Sequence, residues 1–170
     1  MDIRTGIITI SDRSSRGERP DSSGPTLADA ARELTWIVSK MEIIPDDVNI
    51  IQKTLIEWCD SEDCDLILTT GGTGFSQRDV TPEATRQVID RFAPGLDEAM
   101  RAGSRKINPH SMLSRGISGI RKSTLIINLP GNPNAALENI MIVKDVIPHA
   151  IGLLKNLPTT ENEHQSLRKD

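Results

Sequence analysis

The sequence is poor in aromatic residues, because its 170 residues include no tyrosine, two phenylalanines and two tryptophans. Proteins that bind single-stranded nucleic acid commonly stack bases on aromatic rings, so this scarcity argues against that class. The charge points the same way: 20 Lys and Arg against 24 Asp and Glu give a net charge of −4, without the basic surplus of a nucleic-acid binder. We therefore expect no nucleic-acid partner and a core of aliphatic side chains.

Cysteines and long apolar runs are also scarce. The two cysteines, Cys59 and Cys64, lie in an acidic stretch, which favours free thiols in a reducing compartment over a disulfide framework or a zinc site. No apolar run approaches the ~20 residues that a membrane-spanning helix needs. The N-terminal run is too short for a signal peptide. The sequence thus predicts a cytoplasmic protein without a membrane partner.

The apolar residues that are present alternate between strand-like runs and helical spacing. Residues 6–11, 65–70 and 124–130 are typical of buried parallel strands, and residues 41–44 indicate a weaker strand. Between them, apolar residues recur every three or four positions, at Leu27, Ala31, Leu34 and Val38 and again at Val48, Ile51, Leu55 and Trp58. This alternation predicts an α/β fold, a three-layer αβα sandwich with a mostly parallel twisted sheet.

Caps and loop composition complete this outline. Thr81 and Asn132 each precede a proline and are predicted N-caps, Pro94-Gly95 begins a further helix, and a last helix is predicted over 145–157. The charged, Gly/Ser/Pro-rich segment 12–25 predicts a mobile loop. No repeat or linker divides the chain, so we expect one domain over 1–157, followed by a polar, frayed C-terminal tail at 158–170.

Small or acidic residues follow every predicted strand. They are Ser11 and Asp12 after the first, Asp46 and Asp47 after the second, Gly71, Gly72, Thr73 and Gly74 after the third, and Gly131, Asn132 and Pro133 after the last. Because ligands of open α/β sheets bind beyond the carboxyl ends of the strands, these residues are expected to form one polar cleft.

The glycine-rich turn at 71–74 has two interpretations that its sequence leaves open. Its backbone N–H groups could bind a phosphate, or the glycines could serve only a tight bend. It is neither a P-loop nor a dinucleotide fingerprint. Asp79 follows closely, and Asp46 ends another strand, so the two carboxylates could hold Mg²⁺ together with phosphate oxygens. Helix capping or surface ion pairing are the alternative roles of the two acids.

Three long stretches carry a family resemblance. "ISDR", "TLIEWCDSEDCDLILTTGGTGFSQRDVTPEAT" and "PHSMLSRGISGIRKSTLIINLPGNPNA" resemble the molybdopterin adenylyltransferases of molybdenum cofactor synthesis, including the G domain of gephyrin and its plant counterpart. The resemblance covers about residues 3–155, nearly the whole chain. It implies a molybdopterin-binding domain that transfers AMP from ATP to the molybdopterin phosphate, in a Mg²⁺-dependent reaction that releases pyrophosphate.

The resemblance also implies roles for individual residues. Asp46 and Asp79 correspond to the family's catalytic acids and are the expected Mg²⁺ ligands. Gly71, Gly72, Thr73, Gly74 and Asp12 are expected to bind the nucleotide or a phosphate, and Ser104, Ser114, Gly131, Asn132 and Pro133 to bind molybdopterin. Arg78, Arg115, Arg121 and Lys122 are candidate cations for the two polyanionic substrates. The family further implies a homotrimer and a downstream molybdate-insertion protein.

Two other functions remain open at this point. The chain could bind molybdopterin as a non-catalytic module or scaffold of the same fold, in which case ATP would release no pyrophosphate. It could also be a flavodoxin-like flavin binder or a nucleotide hydrolase.

Overall fold

The computed structural model describes residues 1–157, and the tail predicted at 158–170 lies outside the described residues. Strands and helices alternate along most of this length. The strands are β1 (Arg4–Ile10), β2 (Ile37–Ile44), β3 (Leu66–Thr70), β4 (Arg91–Phe92), β5 (Ser118–Arg121) and β6 (Thr124–Leu129). The helices are α1 (Asp12–Ser15), α2 (Ser23–Glu33), α3 (Val48–Asp60), α4 (Thr81–Val88), α5 (Pro94–Ser104), α6 (Pro133–Val143) and α7 (Ile147–Leu154), with a 3-10 helix at Pro109–Leu113.

The strands form one six-stranded sheet in the order β2-β1-β3-β6-β5-β4. The first four strands of this order are parallel, and β4 and β5 add an antiparallel edge beside β6. The chain runs outward from β1 to β2 and then returns to the other side of β1 to form β3. The strand order therefore reverses between β1 and β3, which is where an open α/β sheet places its ligand crevice.

Successive residues of each central strand belong to different cores, as a sheet covered on both faces requires. Ile7, Leu68 and Ile127 pack in one core with α2, α5, α6 and α7. Ile8, Ile67 and Ile126 pack in the other core with α3 and α4. The predicted three-layer αβα sandwich with a mostly parallel sheet is thus confirmed.

Some predicted boundaries were wrong. Val38 lies in β2, which spans Ile37–Ile44 instead of 41–44, because an edge strand with one exposed face can match helical spacing by chance. Segment 12–25 was expected to be a loop but contains α1 and the start of α2. The last helix is Ile147–Leu154, shorter than the predicted 145–157.

The predicted helix caps and free cysteines were confirmed except at Thr81. Asn132 caps α6 as expected, because its side chain accepts a hydrogen bond from the Ala135 N–H at 3.1 Å. Thr81 is not an N-cap: it is the first residue of α4, and its hydroxyl donates to the Gly71 carbonyl at 2.9 Å. Cys59 and Cys64 are free and buried, and burial raises the pKa of the Cys59 thiol to about 12. Within residues 1–157, no helix is long and apolar enough to cross a membrane.

Candidate active site

The glycine-rich turn after β3 lies against the end of β1. Gly71 and Gly72 have positive φ values of 107° and 63°, a conformation that glycine adopts without strain. A Cβ atom on Gly71 would collide with the Ile10 carbonyl oxygen, and one on Gly72 would collide with the Thr81 hydroxyl. The glycines are therefore required for the bend itself, and they also expose the backbone that a phosphate could approach.

The two adjacent aspartates after β2 have different roles. Asp47 is the N-cap of α3, since its carboxylate accepts hydrogen bonds from the backbone N–H groups of Asn49 at 2.9 Å and Ile50 at 3.0 Å. Asp46 instead binds the start of α1: its Oδ2 accepts from the Asp12 N–H at 2.8 Å, and its own N–H donates to the Asp12 carboxylate at 3.1 Å. The capping role that the sequence left open for Asp46 therefore belongs to Asp47.

The electrostatic environments of Asp46 and Asp12 differ. Burial raises the pKa of Asp46, and the negative charges of Asp12 and Asp79 raise it further, against the hydrogen bond from Asp12. Partial burial would also raise the pKa of Asp12, but hydrogen bonds from the Arg78 guanidinium and the Asp46 backbone outweigh burial and lower it. Arg78 donates to Asp12 at 2.8 Å. The site therefore has an excess of negative charge centred on Asp46, which a cation would relieve.

Asp79 is fixed by its own turn and by Arg115. Its Oδ2 accepts a hydrogen bond from the Ser76 N–H at 3.0 Å. Its carbonyl oxygen accepts from the Arg115 guanidinium at 2.6 Å, and the same guanidinium donates to the Gly74 carbonyl at 2.7 Å and pairs with Glu83. The Arg115 N–H also donates to the Thr73 carbonyl at 2.9 Å. Arg115 thus joins both ends of segment 73–79 and sets the position of Asp79.

Two cavities of about 600 Å³ and about 610 Å³ open at the carboxyl end of the sheet. They have four lining residues in common, which are Gly72, Asp79, Gly131 and Asn132. Each volume suits a small organic ligand. Two ligands bound here would therefore meet at Asp79 and the two glycine turns.

The first cavity lies between the glycine turn, α5, the 3-10 helix and α6. Ser104 and Ser114 line it, together with Thr73 and Gly74. The Ser104 residue is only 3% exposed, and its hydroxyl has no hydrogen-bond partner among residues 1–157. A buried hydroxyl without a partner costs free energy, so a ligand in this cavity would supply the missing hydrogen bond.

The second cavity lies between the ends of β1 and β3 and the start of α2. Asp46, Gly71 and Pro133 line it, and Arg19 contributes a positive charge at its edge. Its α2 wall is fixed by Asp21, which accepts hydrogen bonds from the Thr9 hydroxyl at 2.8 Å and from the Ser23 and Gly24 N–H groups at 3.1 Å.

The structure brings most of the predicted site residues together, with some exceptions. Of the twelve residues predicted to be catalytic or to bind a substrate, eleven line one cavity or both. Asp12 lines neither cavity, but its N–H donates a hydrogen bond to the Asp46 carboxylate. Arg121 and Lys122, two of the candidate cations, bind Asp60 beside the β5–β6 turn, at the opposite end of β6 from the cavities. Arg115 binds protein groups, so it positions the loop instead of facing a substrate.

Several cavity residues were missed by the sequence analysis. The missed Arg101 lies on α5 three positions before the predicted Ser104, and the missed Asn134 and Glu138 are four positions apart on α6, so each pair shares a helix face. The spacing alone could have shown that each pair shares a helix face, but nothing in the sequence indicated that these two faces meet over the glycine turn. Asp21 was missed because its segment was treated as a loop.

A metal site made of protein groups alone is absent from the described part of the chain, where no three His, Cys, Asp or Glu side chains cluster suitably. Asp46 and Asp79 do fit a Mg²⁺ that is shared with phosphates. Each uses Oδ2 to accept a backbone hydrogen bond, whereas no donor among residues 1–157 reaches Oδ1 of either residue. Mg²⁺ commonly binds one or two carboxylates together with phosphate oxygens and water.

The chain is similar to known proteins over most of its length. Residues 6–149 match the family described as a probable molybdopterin binding domain. The molybdopterin adenylyltransferase of Helicobacter pylori (strain J99) is 42% identical over 154 residues, which cover 89% of this chain and 88% of that protein. Gephyrin of Dictyostelium discoideum is 40% identical over 175 residues, which cover 97% of this chain but only 24% of gephyrin.

A solved structure is similar over nearly the same range. The molybdopterin biosynthesis enzyme MoaB from Thermus thermophilus superposes with a TM-score of 0.86 at 45% identity, covering 92% of this chain and 98% of that one. The two chains therefore have the same fold over nearly their whole lengths.

Proposed function

Because the chain belongs to the family of probable molybdopterin binding domains, we propose that it is a molybdopterin adenylyltransferase that uses ATP. The observation that carries this proposal is the pair of adjoining cavities with Asp79, Gly72, Gly131 and Asn132 at their boundary. A transfer between two bound substrates needs such a boundary, because the reacting groups must be held in contact.

The cavities are assigned by their linings. The first, with Ser104 and Ser114, receives molybdopterin, and its unpartnered Ser104 hydroxyl supports a polar ligand there. The second, with Gly71, Asp46 and Arg19, receives ATP. Gly131, Asn132 and Gly72 then lie beside the phosphates of both substrates.

The chemistry is an exchange of one phosphoanhydride for another. A terminal phosphate oxygen of molybdopterin attacks the α-phosphorus of ATP, the bond from that phosphorus to the bridging oxygen of the β-phosphate breaks, and pyrophosphate leaves. No covalent enzyme intermediate is required. The backbone N–H groups of residues 72–74 and of Asn134 stabilise the phosphate charge, because the Gly71 and Ala135 N–H groups are already bonded within the protein. Arg115 keeps Asp79 in place.

Mg²⁺ is the implied metal, and Asp46 and Asp79 would hold it. When bound, it neutralises phosphate charge and polarises the reacting phosphoryl group. The excess negative charge that raises the pKa of Asp46 supports this role.

Two further proposals rest on the family resemblance, namely a homotrimer and a molybdate-insertion protein that accepts the adenylylated product. A single domain over 1–157 and a cytoplasmic location are proposed from the sequence itself, by the arguments given in the sequence analysis.

The proposal is tested by incubating the full chain with ATP, Mg²⁺ and molybdopterin. Mass spectrometry should detect adenylylated molybdopterin, and pyrophosphate should form in equal amount. Asp79→Asn should reduce the rate by about 100-fold or more, equivalent to about 2.7 kcal/mol of barrier. Asp29→Asn is the matched control, because Asp29 lies on the exposed face of α2 and, within residues 1–157, pairs with Arg32 alone.

The alternative of a non-catalytic binding module makes a different prediction. Such a protein would bind molybdopterin but release no pyrophosphate from ATP under any of these conditions. That result would overturn the proposed function.

A further inference from the structure

The α6 wall of the first cavity presents a carboxylate that the proposed reaction does not use. Glu138 is half-buried and lines the cavity on the same helix face as Asn134 and Ala135. Among residues 1–157, no group donates a hydrogen bond to its carboxylate or forms an ion pair with it. A carboxylate directed at a cavity is an acceptor for a ligand that presents N–H donors.

The opposite wall, α5, presents a guanidinium to the same cavity. Arg101 donates from Nη1 to the Gly116 carbonyl at 3.0 Å, and its other nitrogens donate to no group in the described part of the chain. Arg101 and Glu138 do not pair with each other, although α5 and α6 pack together. The cavity therefore keeps an acceptor and a donor of opposite charge on facing walls.

The remaining lining fits a flat, partly apolar ligand. Ile107 and Leu113 line the cavity with 71% and 49% of their surfaces exposed, so their side chains are available to cover a ring face. Below them, the buried hydroxyls of Ser104 and Ser111 have no hydrogen-bond partner in the described chain. Two such hydroxyls in one cavity are an independent sign that a polar ligand completes it.

We propose that Glu138 reads the 2-amino edge of the pterin ring, a specificity contact that rests on the proposed function. The pyrimidine edge of a pterin presents two adjacent donors, the 2-amino group and N3–H, followed by the 4-oxo acceptor. The Glu138 carboxylate accepts from both donors, and Arg101 donates to the 4-oxo oxygen. This contact makes the cavity selective for pterins over pteridines without a 2-amino group.

The test compares pterin with lumazine, which has a 2-oxo group in place of the 2-amino group and keeps N3–H and the 4-oxo group. Fluorescence titration of the full wild-type chain should show pterin binding about tenfold or more tightly than lumazine, since a lost charged hydrogen bond has an effect of this size. Glu138→Gln should remove or reverse the preference, because a glutamine amide can donate to the 2-oxo oxygen. Glu98→Gln, on the exposed face of α5, should leave it unchanged.

A kinetic readout separates recognition from folding. Glu138→Gln should raise KM for molybdopterin about tenfold or more while KM for ATP stays at the wild-type value, since ATP occupies the other cavity. Equal wild-type affinity for the two probes, absence of pterin binding, or an unchanged preference in Glu138→Gln overturns the inference. A wild-type chain that prefers pterin through Glu138 but forms no adenylylated product would instead overturn the proposed function alone.

Discussion

At the scale of single residues, Asp46 and Asp47 show that neighbours of the same type can have unrelated roles. The Asp47 carboxylate accepts hydrogen bonds from the first N–H groups of α3, so Asp46 is not needed as a helix cap. Asp46 lies in the second cavity, close to two other carboxylates. A residue held in an environment that disfavours its ionised form is typical of a functional site.

Asp46→Asn should therefore lower activity and raise stability near neutral pH. The pKa of Asp46 is raised in the folded chain, so its ionised form destabilises the fold above that pKa, and the penalty disappears as the pH falls towards the ordinary value of 3.8. We expect the variant to have a higher Tm than wild type at pH 7.5 and an equal Tm near pH 3.5. Adenylylation should fall by about 100-fold.

Asp47→Asn is the control for this prediction. Asparagine is an equally good N-cap, so this neighbouring variant should keep both its Tm and its activity. A Tm of Asp46→Asn below wild type at pH 7.5 would show that Asp46 stabilises the fold, contrary to the charge argument.

Arg115 gives a second residue-scale prediction. Its guanidinium holds the carbonyls of Gly74 and Asp79, and a lysine cannot reproduce this forked geometry. Arg115→Lys should lower kcat by about 100-fold, because small displacements of a reacting group have effects of that size. Guanidinium ions should partly restore Arg115→Ala. Arg121→Lys, a matched change at the β5–β6 turn, should leave kcat unchanged, and an unaffected Arg115→Lys would rule out the positioning role.

At the scale of elements, the turn between β3 and α4 combines a special backbone conformation with close packing. Thr70 donates to the Pro130 carbonyl at 2.7 Å, and the Gly71 N–H donates to the Leu129 carbonyl at 3.1 Å. These bonds hold the β3 turn against the β6 turn. The wall that separates the two cavities is thus formed jointly by the two turns.

Alanine substitutions of two glycines separate backbone strain from steric collision. Gly72 and Gly17 have similar φ values of 63° and 72°, but only Gly72 has neighbours that a Cβ would meet. Gly17→Ala should cost about 1 kcal/mol of unfolding free energy, whereas Gly72→Ala should cost about 2–4 kcal/mol, because Thr81 must also move. Urea denaturation measures both values. Equal losses would mean that the turn relaxes around the new methyl group.

At the scale of the whole molecule, the sequence analysis predicted the central strands of the sheet and the helices that cover them. Strands β1, β3 and β6 are buried on both faces, so their aliphatic runs are unambiguous, and residues that follow parallel strands necessarily meet at one edge. The short strands β4 and β5 were missed because Arg91–Phe92 and Ser118–Arg121 carry too few residues for a pattern. On the cavity walls from α5 and α6, Ser104 was predicted only through the family resemblance, and Arg101 and Glu138 were missed because their meeting depends on long-range packing.

The amino end of the sheet provides a test of whether stability and function are separable. Asp65 has a side chain that is only 3% exposed and binds Arg4 at 2.7 Å and Lys155 at 2.8 Å. Burial alone would raise the pKa of Asp65, but the hydrogen bonds from Arg4 and Lys155 lower it overall. Its contribution to stability is therefore present above the ordinary pKa of 3.8 and is lost as the pH falls through the lower folded value.

Asp65→Asn should cost about 1.5–3 kcal/mol at pH 7, because it weakens the hydrogen bonds from two cations that are themselves partly exposed to water. The difference from wild type, measured by urea denaturation, should shrink once the pH falls below 3.8. Adenylylation by the folded fraction should remain at the wild-type rate, since Asp65 precedes β3 and the cavities follow it. A loss of kcat in a folded Asp65→Asn chain would show that the two ends of the sheet are coupled.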